Sequence, residues 1–90
     1  MSRLRHIETA SRQAALIQSM IDDLERRVQI LRVDICTEEE RARVFDRADP
    51  LYPIMARTLS VRLENIGVTI ADLKNRLTTF DPDNEVREAA

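Results

Sequence analysis

Residues 7–45 read IETASRQAALIQSMIDDLERRVQILRVDICTEEERARVF and contain neither glycine nor proline. Counting forward from Ile7 by three and four residues in turn reaches an apolar side chain at nearly every step. Such a spacing places these side chains in one stripe along a helix that packs against a partner helix. The stripe consists of Ile7, Ala10, Ala14, Ile17, Ile21, Leu24, Val28, Leu31, Ile35, Glu38, Ala42 and Phe45. The pattern predicts one long helix, from about residue 4 to about residue 47.

A second stretch repeats this 3-4 spacing after two prolines. Pro50 and Pro53 lie in the segment DPLYP at 49–53, and the residue before each proline is disfavoured in a helix. We therefore predict a turn over about 48–51, with Asp49 as the N-cap of a second helix over about 52–79. An acidic tail follows over 81–90, for which a short helical turn and an unstructured segment both stay open. The second stripe consists of Tyr52, Ala56, Leu59, Leu63, Ile66, Ile70, Leu73, Leu77 and Phe80.

The two stripes predict an all-α fold, a two-helix antiparallel coiled-coil hairpin that forms a single helical domain over residues 1–90. Folding the chain at Asp49 brings Ile35 opposite Leu63 and Val28 opposite Ile70, so that apolar meets apolar. Pairing within one chain and exchange of helices between two chains both satisfy these layers. The other layers expected are Phe45 with Tyr52, Ala42 with Ala56, and Ile21 with Leu77.

Further apolar residues lie off the stripes and would stay in water in a lone hairpin. A hairpin of this size has a thin core and little stability of its own. We therefore predict self-association, most simply a homodimer that forms a four-helix bundle. The residues expected to take part are Leu16, Met20, Ile30, Val33, Ile54, Val61 and Val68, and Val44 and Met55 belong to the same off-stripe set.

Two residues interrupt the pattern. Glu38 takes an inward position, where it either leans to the rim near Arg41 or Arg62 or lies buried as a charge that fixes the register. Gly67 lies in mid-helix, where glycine costs about 1 kcal/mol relative to alanine. It is either simply tolerated or lets another backbone approach closely.

Composition disfavours several classes of protein. The formal net charge is −2, without the basic surplus typical of nucleic-acid-binding proteins. No apolar run approaches the ~20 residues needed to span a bilayer, so we expect no membrane insertion. The first residues are charged and lack the apolar segment of a secretory signal, and the single Cys36 has no internal disulfide partner. We therefore expect a cytoplasmic protein.

The sequence shows no catalytic, metal-binding or cofactor-binding constellation. His6 is the only histidine, and Cys36 has neither a second cysteine nor a histidine close by in the chain to activate it. Side chains in the run Glu38-Glu39-Glu40 diverge by about 100° per residue on a helix, so their carboxylates do not converge on one ion. We predict a protein that is not an enzyme and that needs no cofactor or metal.

One acidic stretch and a set of residues in the second half are similar to a known family. Between Ile17 and Leu77, the chain resembles the short form of the bacterial flagellar export protein FliJ family. The residues that carry the resemblance are Glu38-Glu39-Glu40-Arg41, Asp49-Pro50, Tyr52-Pro53, Ala56, Arg62 and Asn65, followed by Ile70, Leu73 and Leu77. Tyr52-Pro53, Arg62 and Asn65 are the matches that a coiled-coil repeat does not itself require.

The resemblance implies a helper of flagellar type III protein export, an antiparallel coiled coil that binds the export ATPase, the export gate or substrate chaperones. It also implies a partner-binding surface near the turn, at Tyr52, Arg62 and Asn65. Alternatively, Tyr52 closes the end of the hairpin and the other two are solvated. The alternative function is a structural homo-oligomeric coiled-coil scaffold or a small regulatory protein unrelated to export.

Overall fold

The computed structural model describes residues 2–79, with side chains from Glu8 to Thr79, and consists of two helices. Helix α1 spans Ser2–Ala42 and helix α2 spans Ile54–Thr79. The irregular segment 43–53 joins them, and the molecule measures 63 × 22 × 14 Å. Residues 2–79 therefore form an all-α structure, as predicted. The predicted acidic tail and the Phe80 position of the second stripe lie outside the described residues.

Contacts between the helices establish their relative direction. Glu25 of α1 forms an ion pair with Lys74 of α2, with 3.3 Å between Oε1 and Nζ. At the other end, the hydroxyl of Tyr52, just before α2, lies 2.9 Å from Oε2 of Glu39 in α1. Since numbers rise along α1 as they fall along α2, the helices are antiparallel neighbours, and the predicted hairpin is confirmed.

The core is a single thin seam between the two helices. The most buried apolar residues are Ile21, Leu31, Tyr52, Ala56 and Leu73. The other stripe positions within 10–35 and 59–77 are half buried, because each helix has only one neighbour to cover it. Val28 and Ile70, predicted to share a layer, line the same shallow groove between the helices.

Helix α1 ends at Ala42, earlier than the predicted end near residue 47. Arg43 has a φ of 58°, and a residue in this left-handed conformation commonly follows the last residue of a helix. Ala42 and Phe45 were both expected in the stripe, but both are exposed. The stripe of α1 therefore ends at Glu38, and neither residue contributes a buried layer to the seam.

Two consecutive turns replace the short corner that was predicted over 48–51. The backbone N–H of Asp49 donates to the carbonyl of Asp46, and that of Tyr52 donates to the carbonyl of Asp49, both at 3.0 Å. The Asp46 carboxylate accepts the N–H of Ala48, and the Asp49 carboxylate accepts the N–H of Leu51. Such bonds from aspartate side chains to nearby N–H groups compete with helix formation, which explains a linker over 43–53.

Helix α2 begins at Ile54 rather than at about residue 52. The N–H of Arg57 donates to the carbonyl of Pro53 at 3.1 Å, so Pro53 precedes the first helical residue. The prediction that Asp49 caps α2 is wrong, because its carboxylate is used within the linker turn. The rigid φ of proline at position 53 still suits a helix start.

Candidate interaction surfaces

One side of the hairpin carries the polar contacts between its two halves. We label heptad positions so that Val28 and Leu63 are a positions, and a and d form the seam. Glu25 and Lys74, which pair across the seam, are then both e positions. Positions e and b of both helices face this side, which we call the polar side. Its members include Glu25, Gln29, Arg32 and Glu39 in α1, and Ser60, Glu64, Gly67 and Lys74 in α2.

The linker also binds to the polar side. The Arg47 guanidinium lies 3.3 Å from Oε1 of Glu64, and Nη2 of Arg57 donates to the carbonyl of Arg47 at 3.0 Å. Exposed ion pairs of this kind contribute only ~0.2–1 kcal/mol each. They matter more for orientation than for stability, because they hold the linker against the polar side of the hairpin.

The exposed large apolar side chains of the two helices all lie elsewhere. By helical periodicity they occupy positions c, f and g, and among residues 8–79 none of them lies at e or b. Every residue predicted to take part in self-association is therefore accessible in the single chain. These side chains are Leu16, Met20, Ile30, Val33, Ile54, Met55, Val61 and Val68.

Helix α2 carries the more continuous of these apolar surfaces. Ile54, Val61 and Val68 recur at intervals of seven residues, and they are 83%, 49% and 71% exposed. Thr58 and Asn65, also exposed, lie between them. We call these five residues the outer series. They repeat the 3-4 spacing of a coiled-coil seam on the opposite face of α2, without a charged member.

The outer face of α1 is less continuous. Leu16 and Met20 form one exposed apolar pair, and Ile30 and Val33 form another. The segment 22–27 separates them and contains aspartate, glutamate and arginine residues. The spacing therefore offers two short apolar patches on α1 rather than an uninterrupted stripe.

Tyr52 closes the turn end of the hairpin. It is only 3% exposed, its hydroxyl donates to Glu39, and the Arg57 guanidinium lies 5.4 Å above its ring centroid. Burial, followed by the hydrogen bond to Glu39, raises the pKa of Tyr52 above its ordinary value of 10.0, and a hydrogen bond with Ser60 opposes this. A buried tyrosine with its hydroxyl satisfied in this way stabilises the chain that contains it.

The structure does not bring together the three residues that the family resemblance assigns to partner binding. Arg62 and Asn65 are exposed neighbours on α2, at positions g and c. Tyr52 is buried with its hydroxyl on the polar side, as the alternative interpretation had it. Of the three, only Arg62 and Asn65 are accessible to a partner in this structure.

The linker contains two large apolar residues whose exposure the sequence patterns did not predict. Leu51 is 77% exposed and Phe45 is 59% exposed. Phe45 lies over a shallow depression on α1 that Thr37, Glu40 and Arg41 also line. Phe45 fits the 3-4 spacing, so only the turn-forming residues Asp46 and Asp49 could have indicated that it leaves the helix.

The two interruptions of the pattern have simple explanations. The Glu38 side chain is 26% exposed and lies 3.4 Å from Arg41, which confirms the rim position. Gly67 is exposed, and a Cβ added to it would meet nothing within 4 Å. No other part of the described chain is therefore in van der Waals contact with the position that a side chain would take there. It lines the interhelical groove of about 420 Å³ together with Val28 and Ile70.

The described residues contain one free thiol and no candidate metal cluster. Among residues 8–79, no three histidine, cysteine or acidic side chains are grouped closely enough to hold a metal ion, and Cys36 is exposed. No helix within residues 2–79 combines the length and hydrophobicity needed to cross a membrane. Comparisons with protein-family profiles, with curated proteins and with solved structures found no match to this chain.

Proposed function

We propose that this protein is a non-enzymatic helical interaction protein that presents the outer faces of its hairpin to other helices. The observation that supports this is the division of the surface. The polar side holds the polar contacts between the two halves of the chain. Among residues 8–79, the large exposed apolar side chains of the two helices lie at positions c, f and g. Covering one such side chain fully would contribute about 1.5–3 kcal/mol, so the hairpin gains stability from a partner.

The first partner we propose is a second copy of the chain, in a homodimer that packs four helices together. A symmetric dimer is the commonest assembly among homo-oligomers, and the two-helix hairpin leaves most seam positions only half buried. Sedimentation at micromolar concentration tests this. We expect a dimer in reversible equilibrium with its 10.4 kDa chain, and a monomer at all concentrations would contradict the proposal.

The location we propose is the cytoplasm. Cys36 is exposed and has no disulfide partner, and an exposed free thiol persists most readily where glutathione and thioredoxin keep thiols reduced. Neither nucleic acid nor a cofactor is part of the proposal. A fluorescent fusion that accumulates outside the cytoplasm would overturn this part of it.

A narrower proposal identifies the partners as components of flagellar type III export. It is supported by the resemblance described above and by the antiparallel hairpin that the resemblance implies. Its contact surface would be Arg62 and Asn65, which are adjacent and exposed in the single chain. An export component would therefore compete for these residues with any second copy of the chain that binds the same face of α2. The partners to test are the export ATPase, the cytoplasmic domain of the export gate and substrate chaperones.

A pull-down with the purified ATPase and gate domain tests the export role. We expect the wild-type chain to be retained, the double variant Arg62→Ala with Asn65→Ala to be lost, and the polar-side control Arg32→Ala to be retained. If the wild-type chain dimerises but is not retained, and if motility survives deletion of the gene, the protein is instead a homo-oligomeric scaffold or a regulatory protein unrelated to export.

A further inference from the structure

Helix α2 carries two coiled-coil stripes, of which the hairpin uses one. The second is the outer series, Ile54, Thr58, Val61, Asn65 and Val68, which covers about 21 Å of helix. All five residues are exposed. The Thr58 hydroxyl already donates to the carbonyl of Ile54 at 3.1 Å, so its hydrogen-bonding needs are met within its own helix. The series can therefore be covered by another helix without stranding that hydroxyl.

One antiparallel register pairs four of the five residues within α2 and keeps charge out of these layers. A shift of one heptad in one direction places charge in a layer, and a shift in the other direction leaves only Ile54 and Thr58 paired within α2. The outer series alternates between heptad positions f and c. In an antiparallel coiled coil, a residue at one of these two positions packs in the same layer as a residue at the other position of the partner helix. One register pairs Thr58 with Val61 of the second copy, and Ile54 with Asn65. Shifting the partner by one heptad pairs Ile54 with Asp72 and places charge in a layer. The first register leaves each layer with a β-branched aliphatic residue and an uncharged polar one.

The charges beside the series favour the same register. Arg57 and Glu64 lie on one flank at position b, where each also contacts Arg47 of its own chain. The favoured register brings Arg57 almost level with Glu64 of the second copy, twice by symmetry, so that opposite charges lie close together at this flank. On the other flank, Arg62 faces Met55 of the second copy, along which its aliphatic stem can lie. Parallel pairing would instead bring Arg57 near Arg62 of the second copy, which is repulsive. Charges flanking a stripe set partner choice and direction in coiled coils.

We propose that a second copy of this chain docks antiparallel on the outer series of α2, about a twofold axis between Thr58 and Val61. This rests on the proposed self-association and specifies its surface. The series lies roughly 150° around the helix from the hairpin seam. The two α2 helices therefore form the centre of the dimer, and the α1 helices flank them. In this arrangement Val68 lies near the turn of the second copy, where Leu51 is 77% exposed.

Cysteine crosslinking between two differently labelled chains tests the register directly. The exposed Cys36 is first replaced in Cys36→Ser, and Ile54→Cys and Asn65→Cys are then made separately in that background. After mild oxidation, we expect a covalent dimer when the two variants are mixed, and none from either variant alone. The mixture of Val33→Cys with Asn65→Cys is the control, because Val33 is 64% exposed but lies on α1. It should give no crosslink.

The other outcomes separate this interface from the wider proposal. Crosslinks from each variant alone would mean parallel pairing and would overturn the register. If the Cys36→Ser chain sediments as a dimer and the mixture gives no crosslink above the control, self-association stands and the α2 interface is wrong. If that chain sediments as a monomer, both the interface and the proposed self-association fail.

Discussion

The hydroxyl of Tyr52 donates a 2.9 Å hydrogen bond to the Glu39 carboxylate and so joins the end of the linker to α1. The tyrosine is 3% exposed, in a hairpin where few side chains are fully covered. Glu39 belongs to the last turn of α1, and Tyr52 lies two residues before α2 begins. The contact therefore holds the turn end of the hairpin closed.

Tyr52→Phe should lower the free energy of unfolding by about 1–2 kcal/mol. The variant keeps the ring and loses the hydrogen bond. Such bonds to charged groups contribute ~1.5–3 kcal/mol, and Glu39 is only half buried. Urea denaturation measures the loss, and Glu39→Gln, which keeps an acceptor, should lose less. A Phe variant as stable as the wild type would show that the contact is energetically silent.

The raised pKa of the Tyr52 hydroxyl predicts that the folded chain loses stability in strong alkali. Burial and the Glu39 hydrogen bond raise the pKa of Tyr52 in the folded chain above its ordinary value of 10.0. The contribution to stability is therefore complete below pH 10 and is lost as the pH rises through the folded pKa. Thermal unfolding of wild type and Tyr52→Phe between pH 8 and pH 11.5 should converge at the alkaline end. A constant difference across that range would contradict the assignment.

Gly67→Ala should stabilise the hairpin by about 0.5–1 kcal/mol. The new methyl group would meet nothing within 4 Å, and alanine costs less backbone entropy in a helix than glycine. The matched control is Ala71→Gly, one turn later at another exposed position of α2, which should destabilise by a similar amount. Circular dichroism melting compares the two. A destabilised alanine variant would indicate that a second chain packs against Gly67.

Val61→Glu should weaken dimerisation at least tenfold while the monomer stays folded. The valine is 49% exposed in the single chain, so the charge costs little until a partner covers it, when desolvation penalises it strongly. Sedimentation equilibrium gives the dissociation constants. Gln29→Glu adds the same charge on the polar side and should leave association unchanged. Equal weakening by both variants would point to a general charge effect.

Leu73→Ala should cost about 2–4 kcal/mol, whereas Lys74→Ala should cost less than about 1 kcal/mol. Leu73 is 6% exposed in the seam. Its neighbour Lys74 forms the cross-helix ion pair with Glu25, in which both side chains are at least half exposed. Chemical denaturation at two salt concentrations compares them. A larger loss for the lysine variant would mean that ion pairs, rather than the seam, hold the helices together.

Periodicity predicted the residues that face each other and those that face outward. It did so because a side chain's direction on a helix depends only on residue spacing. The half-buried positions from Ala10 to Ile35, and the exposed off-stripe residues such as Ile54 and Val68, follow directly from the pattern. The outer series is visible in the sequence for the same reason, once the seam has been assigned.

The linker did not follow from the pattern. Phe45 fits the 3-4 spacing and was expected in the seam, but Arg43 leaves the helical conformation and Phe45 is exposed. Hydrogen bonds that the Asp46 and Asp49 carboxylates accept from nearby N–H groups compete with one more helical turn. Spacing alone carries no information about which of the two is lower in free energy.

The sequence by itself determined two helices, their antiparallel pairing and the faces they present, because these depend on local spacing and on a proline-rich corner. Only the tertiary structure decided where α1 stops, that Tyr52 is buried against Glu39, and that the ionic contacts between the two helices and from the linker to α2 lie on one side. The contact of Tyr52 with Glu39 and the placement of the ionic contacts depend on which distant groups meet when the chain folds back. The end of α1 depends on the competition between local turns and one more helical turn. Together, these features leave the outer series of α2 uncovered in the single chain.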